Sequence, residues 1–236
     1  MVEILIAKKI DGMQLYFKTI FVNMFIGLLI SALSAFLVVS TGLVHLFLTP
    51  TGLSPLAWMM WIGLFVFVIV FQVKILKMPS RKARMLFFVY SALTGASLSL
   101  LGIAFSLNMI FQAFIVTSLM FGGMAMWGFR TKKNLQPLGM ALFMGMIGLV
   151  IVSVLQIFFH NPLIYLIVNL AGVVIFSLFT AYDMQALKNI YNQLVVSDSD
   201  HELISRAGIM GSLTLYMSFI NLFIYMLRLM SSLGNR

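Results

Sequence analysis

Long apolar runs punctuated by charge set the pattern of this chain. No Asp, Glu, Lys or Arg occurs from residue 19 to 73, from 85 to 129, or from 134 to 182. Each run is long enough for two membrane crossings at about 20 residues per helix. Each is also broken near its middle, by TPTGLSP at 49–55, SLN at 106–108 and HNP at 160–162. Turn formers without charge predict tight hairpins there. A last charge-free run, 207–227, allows one further crossing. Seven helices are therefore predicted, over about 19–41, 54–73, 85–106, 109–129, 138–159, 163–187 and 209–231. They leave a tail at 1–18 and a short one at 232–236 around a membrane domain at 19–231.

Composition makes lipid the solvent. The 236 residues are 62% hydrophobic and 9% charged, too apolar for a water-soluble domain to hide, so the predicted class is an all-α integral membrane protein. A formal charge of +9 would suggest nucleic acid in a soluble protein. Here the cations lie between apolar runs, so positive-inside bias explains them and no nucleic-acid partner is expected. Lys8, Lys9 and Lys18 precede the first span; Lys74, Lys77, Arg81, Lys82 and Arg84 follow the second; Arg130, Lys132 and Lys133 follow the fourth; Lys188 and Arg206 follow the sixth. The three hairpin loops opposite carry none. A cytoplasmic N-terminus is expected, with the C-terminus on the other side. The start, MVEILIAKKIDGMQ, lacks a basic stretch before an apolar core and a small-residue cleavage site, so the first span is expected to direct insertion. Trp58, Trp61 and Trp127 suit interfacial belts, and His45 and His160 fall in the outer hairpins. The absence of cysteine excludes disulfides, thiolate metal sites and a Cys nucleophile.

Small residues at helical spacing, Ser91, Gly95, Ser99, Gly102 and Ser106 in helix three, let backbones approach closely. Gly122, Gly123 and Gly128 in helix four and Gly139, Gly145 and Gly148 in helix five fit the same account. The longest stretch expected in water, 188–208, includes SDSDHE at 197–202. Without the Gly and bidentate Glu of an EF-hand loop, it reads as a solvated acidic turn.

Asp183 is the one acid inside a span. A carboxylate in hydrocarbon is costly and is kept by a partner, a proton or an ion. On helix six it shares an arc of about 60° with Asn169 and Thr180. It lies roughly 7 Å inside the boundary marked by Lys188, shallow enough for water to reach. On helix seven, Gly211, Thr214, Ser218, Asn221, Tyr225 and Arg228 cover an arc of about 100°. A helix with such a continuous polar stripe faces protein or water, which places helix seven centrally in the bundle. Two accounts of the stripe stand side by side, a lining and plain interhelical hydrogen bonding. Asp183 likewise reads either as a proton- or ion-sensing group or as a carboxylate permanently paired with a base or capping a helix. Lys74, at the end of helix two, is the basic partner to look for. Arg228 either snorkels to the outer interface or pairs within the bundle. An enzyme is not expected: one buried carboxylate lacks the second group that acid–base chemistry needs, and no Ser–His–Asp set, HExxH, Walker loop or dinucleotide fingerprint is present.

The stretches LFFVYSALTGASLSL (86–100), AFIVTSLMFGGMAMWGFRTKKNLQPLGMALFMGMIG (113–148), FSLFTAYDMQALKNIY (176–191) and GSLTLYMSFINLFIYMLRL (211–229) resemble the Bax inhibitor-1 (transmembrane BAX inhibitor motif) family, in particular its bacterial inner-membrane members. TKKNL with Gly139, AYDMQ, and the closing pattern LYxxFINLFxYxLR are the most specific parts. The resemblance implies seven helices with the last surrounded by the others, no cofactor, and a pH-sensitive calcium leak. It further implies two aspartates, one on each of the last two helices, sharing a proton and closing the path on the cytoplasmic side. Asp183 in AYDMQ matches the first. Ser218 stands where the motif LYLDFINLF has the second. Calcium takes six to eight oxygens and usually several carboxylates, so Asp183 alone is a poor metal ligand. Some bacterial relatives restrain a membrane-bound ATP-dependent protease, which makes such a protease the alternative partner, with the N-terminal tail as the handle.

Overall fold

A computed structural model describes residues 2–50, 52–156, 161–196 and 201–234. Among them are seven α-helices, each long and apolar enough to cross a membrane. They are α1 (Val2–Ser40), α2 (Pro55–Lys74), α3 (Ser80–Ala104), α4 (Leu107–Arg130), α5 (Gln136–Leu155), α6 (Pro162–Val196) and α7 (His201–Gly234). The breaks read from the sequence turn out to be helix starts. Ser54 and Ser106 cap α2 and α4 by accepting from Ala57 N and Met109 N. Asn161 Oδ1 accepts from Leu163 N and Ile164 N at the head of α6. A cap satisfies amides that would otherwise face lipid with no partner.

The first connection is more built than a tight turn. Gly42, at φ 74°, takes the chain out of α1 into a 3-10 turn over Leu43–Phe47. Two short strands follow, β1 (Leu48–Thr49) and β2 (Gly52–Leu53), paired antiparallel with Leu48 opposite Leu53. His45 in this segment is exposed. His160, Asp198 and Asp200 lie outside the described residues.

Helix ends differ most from expectation where charge had marked them. The segment expected as a tail at 1–18 is helical from Val2, although the apolar span of α1 begins only at Gly12. α3 starts at Ser80, within the basic stretch. The stretch 188–208 expected in water is largely helix: α6 runs on to Val196, and α7 begins at His201, so His201 and Glu202 open a helix. Charge reports where lipid ends. A helix can continue into water, because Lys, Arg and Glu are good helix formers.

The chain divides into two compact units, one of Met1–Ala104 with Ile190–Tyr216, the other of Phe105–Asn189 with Met217–Arg236. In the first unit, Gly95 meets the backbone of Ser31. A Cβ there would lie 2.6 Å from Ser31 Cα, so α1 and α3 touch main chain to main chain. Ser34 Oγ donates to Ala92 O at 2.7 Å, and Ser31 Oγ to Ser91 O at 2.8 Å. The Tyr216 hydroxyl reaches Ser31 Oγ at 2.7 Å, and its ring packs edge-on against Phe87. In the second unit, Phe114 and Phe121 from α4 pack edge-on against Phe219, and Tyr225 stacks on Phe176. α7 is the most buried span, with 61% of its apolar window enclosed against 39% for α6 and 11% for α5. That ordering agrees with a central helix seven.

The small residues do not all pack as expected. Nothing lies within 4 Å of where a Cβ would stand on Gly122, Gly123 or Gly148. Gly95→Ala should therefore lower the thermal stability of the detergent-purified protein by about 1–3 kcal/mol, the usual cost of overpacking. Gly122→Ala should leave the melting temperature unchanged or slightly raised.

Candidate functional site at the Asp183 turn

About two turns of α6, from Ala181 to Lys188, meet α4, α5, the connection between them and the part of α7 in the second unit. Ala181 packs against Gly128 of α4; a Cβ on that glycine would fall 2.6 Å from Ala181 Cα. The ring of Tyr182 covers Gly139 of α5, again leaving no room for a Cβ. Glycine at both places lets the helices close on the turn from two sides.

Asp183 faces α7. Its side chain is buried, and Oδ2 accepts a hydrogen bond from Ser218 Oγ at 2.6 Å. That length is typical of a hydroxyl donating to a carboxylate. Among the described residues Ser218 is its one hydrogen-bond donor, and no cation forms an ion pair with it. A carboxylate has room for about four such bonds. A buried acid held by a single neutral donor remains open to a proton, a water molecule or a cation.

Two residues below it tie down the α4–α5 connection. Gln185, 9% exposed, accepts from Leu135 N at 2.7 Å and donates from Nε2 to Lys133 O at 2.8 Å. Its amide thus replaces a missing stretch of backbone pairing for the TKKNL segment. Lys188 Nζ donates to Phe129 O at 2.9 Å, near the end of α4, and sits 4.9 Å from the centroid of the Phe129 ring. A cation there meets both the negative end of the helix dipole and an aromatic face.

The remaining expected residues separate into two groups. Thr180, Thr214 and Asn221 donate to carbonyls four residues back, at Phe176, Met210 and Met217, so their polar groups are satisfied within their own helices. Tyr225 is used as a ring, stacked on Phe176 and lying over Gly172. Asn169 is buried on α6, and its side-chain nitrogen has no partner among the described residues. Arg228 is half-buried, with no ion pair among the described residues. Among the described residues, Ser218 alone of the predicted stripe on α7 makes a side-chain hydrogen bond to another helix. Lys74, the basic partner sought from the sequence, lies in the first unit. It is exposed at the end of α2 and makes no ion pair among the described residues, because a long side chain at a helix end reaches water. No group of three or more His, Asp or Glu side chains gathers among the described residues.

Seven apolar helices, glycine-mediated contacts and a buried acid near one end of a span define a polytopic helical membrane protein. The family model described as inhibitor of apoptosis-promoting Bax1 matches residues 13–235. The chain is 35% identical to inner membrane protein YbhL of Escherichia coli over 225 residues, covering 95% of this chain and 93% of that protein. It is 33% identical to an uncharacterized protein of Borreliella burgdorferi, covering 99% and 96%. An uncharacterized protein of Rickettsia prowazekii is 30% identical, with 96% and 92% covered. The chain belongs to the Bax inhibitor-1 family and is a multi-pass inner-membrane protein.

Gln185→Leu strands a buried amide and a carbonyl, at a cost of about 1–3 kcal/mol. Hydrogen exchange at Leu135 should accelerate, while amides in the middle of α7 keep their protection. Gln185→Glu, which retains the acceptor, should preserve Leu135 protection.

Proposed function

We propose that this protein is a pH-sensitive cation leak, with calcium as the cation, closed by the contact between Asp183 and Ser218. The observation that carries this reading is a buried carboxylate bonded across two helices by one neutral hydroxyl. Such a contact is strong enough to hold α6 against α7 and simple enough to be broken by a cation or a small shift of either helix, while a proton changes the charge buried behind it. The distribution of basic residues supports a cytoplasmic N-terminus, and with it an Asp183 end of α6 on the same side. Family resemblance supplies the substrate class, calcium, and the expectation of a proton-sensitive gate. Replacement of the second aspartate by Ser218 removes the like-charge coupling that makes two close carboxylates titrate as one unit. The pH response is accordingly shallower than that of a paired-aspartate relative. The chemistry is transport rather than catalysis.

A second reading, restraint of a membrane-bound ATP-dependent protease, finds support in α1, whose helix begins at Val2 before its apolar span at Gly12 and offers a handle outside the membrane.

Calcium efflux from proteoliposomes distinguishes the two. Ser218→Ala removes the contact, and loss of a hydrogen bond to a charged group should raise resting flux by about tenfold or more. Asp183→Asn keeps an acceptor for Ser218 but removes the charge, so flux should lose its dependence on pH across roughly pH 6–8. Ser218→Asp should steepen that dependence. A steep pH response that survives Asp183→Asn would eliminate Asp183 as the sensor. Absence of flux in every form, together with co-purification of a membrane protease, would favour the second reading.

A further inference from the structure

The first unit carries an unneutralised basic surface where α2 passes into α3. Residues 74–84 read KILKMPSRKAR, and Lys74, Lys77, Arg81, Lys82 and Arg84 are all exposed. Among the described residues none of the five makes an ion pair. Lys18 on α1 belongs to the same end. Contacts of Gly27 with Phe87, Ser31 with Ser91 and Gly102 with Val39 hold α1 parallel to α3. The offset between them is 60 positions at Ser31 and Ser91, which sets exposed Lys18 level with the start of α3.

The surface lies at the edge of lipid. Lys74 ends the span of α2, and Arg81, Lys82 and Arg84 fall in the opening turns of α3. Val73 and Met85, which bracket the segment, are 70% and 68% exposed, as apolar side chains facing hydrocarbon would be. The described acid in this neighbourhood is already engaged. Glu202 accepts from Ser80 N at 2.6 Å and from Ser80 Oγ at 3.1 Å, and Arg206 Nε lies 3.5 Å from it. That carboxylate caps α3 and pairs with Arg206, leaving the five cations uncompensated. Insertion bias determines the side on which such residues lie, not what neutralises them afterwards.

We propose that the α2–α3 connection is a binding surface for the headgroups of anionic phospholipids, which it takes in preference to zwitterionic ones. The phosphodiester suits the paired N–H groups of Arg81 and Arg84, and Lys74, Lys77 and Lys82 add point charges at the same depth. Each such charge near an anionic surface is worth roughly fivefold in affinity.

Photoreactive phosphatidylglycerol and phosphatidylcholine analogues, offered in equal amounts to the full-length protein in nanodiscs, test this without any mutation. Adducts from phosphatidylglycerol should concentrate on the 74–84 peptide several-fold over those from phosphatidylcholine, and the preference should shrink as salt rises. Equal labelling by the two lipids would overturn the proposal. So would phosphatidylglycerol adducts spread over other basic segments. Lys77→Gln with Lys82→Gln should cut the affinity for phosphatidylglycerol, read from the co-purified lipid, by roughly twenty-five-fold. Arg130→Gln with Lys132→Gln, which removes equal charge from the second unit, should not. Equal losses from both pairs would assign the attraction to net charge and refute a dedicated surface.

Discussion

Inside lipid a polar group gets no help from water, so it must find its partner within the protein. Several of the hydroxyls and amides here meet that constraint alone, by donating to the carbonyl four residues back. Ser91 does so to Phe87, Ser212 to Gly208, Thr214 to Met210 and Asn221 to Met217. A helix decorated in this way loses nothing polar if it turns or slides. The helices are tied where a side chain reaches across. Ser31 is one such place: it has a single hydrogen to give and lies within bonding range of the carbonyls of Gly27 and Ser91, so the hydrogen between it and Tyr216 comes from the tyrosine. Asp183 with Ser218 is another.

The two ties differ in kind. The serine–tyrosine cluster is neutral and fully paired, which makes it a structural fastening. The Asp183 contact puts an ionisable group in an under-satisfied position on a part of α6 that has little freedom to yield. Gly128 and Gly139 bring α4 and α5 hard against Ala181 and Tyr182, while Gln185 and Lys188 bind the connection and the end of α4 just below. With its own helix held, a change in the charge of Asp183 acts on α7 through Ser218, its one hydrogen-bond donor among the described residues. The site is thus a held acid opposite a single hydroxyl donor.

Much of this was legible from the chain because lipid excludes charge so strongly. Uncharged runs with central breaks located all seven spans, and the breaks proved to be the capping residues Ser54, Ser106 and Asn161. Helical arcs put Asp183 and Ser218 on faces that could meet. Helix ends were not legible, since Lys188 marks the edge of lipid while α6 continues to Val196. Nor could the small residues be sorted: Gly122 and Gly128 look alike in sequence, and only the second has a backbone against it. Gln185 carried no periodic signal at all. The clue would have been the TKKNL segment, a short connection with an amide at Leu135 and a carbonyl at Lys133 that need partners.

Serine at position 218 also changes what closing the contact requires. Two aspartates at 2.6 Å cannot both be ionised, so a paired-aspartate contact exists only when a proton is shared between them. A serine brings its own hydrogen. It donates to Asp183 when the acid is ionised and accepts from it when the acid is protonated, so α6 and α7 remain joined in both states. A proton at this site therefore alters the charge buried between the helices without itself making or breaking the bond. On the proposed reading, gating acts through electrostatics on whatever passes, or through a force large enough to separate Ser218 from Asp183 directly, rather than through the proton as the only bridge.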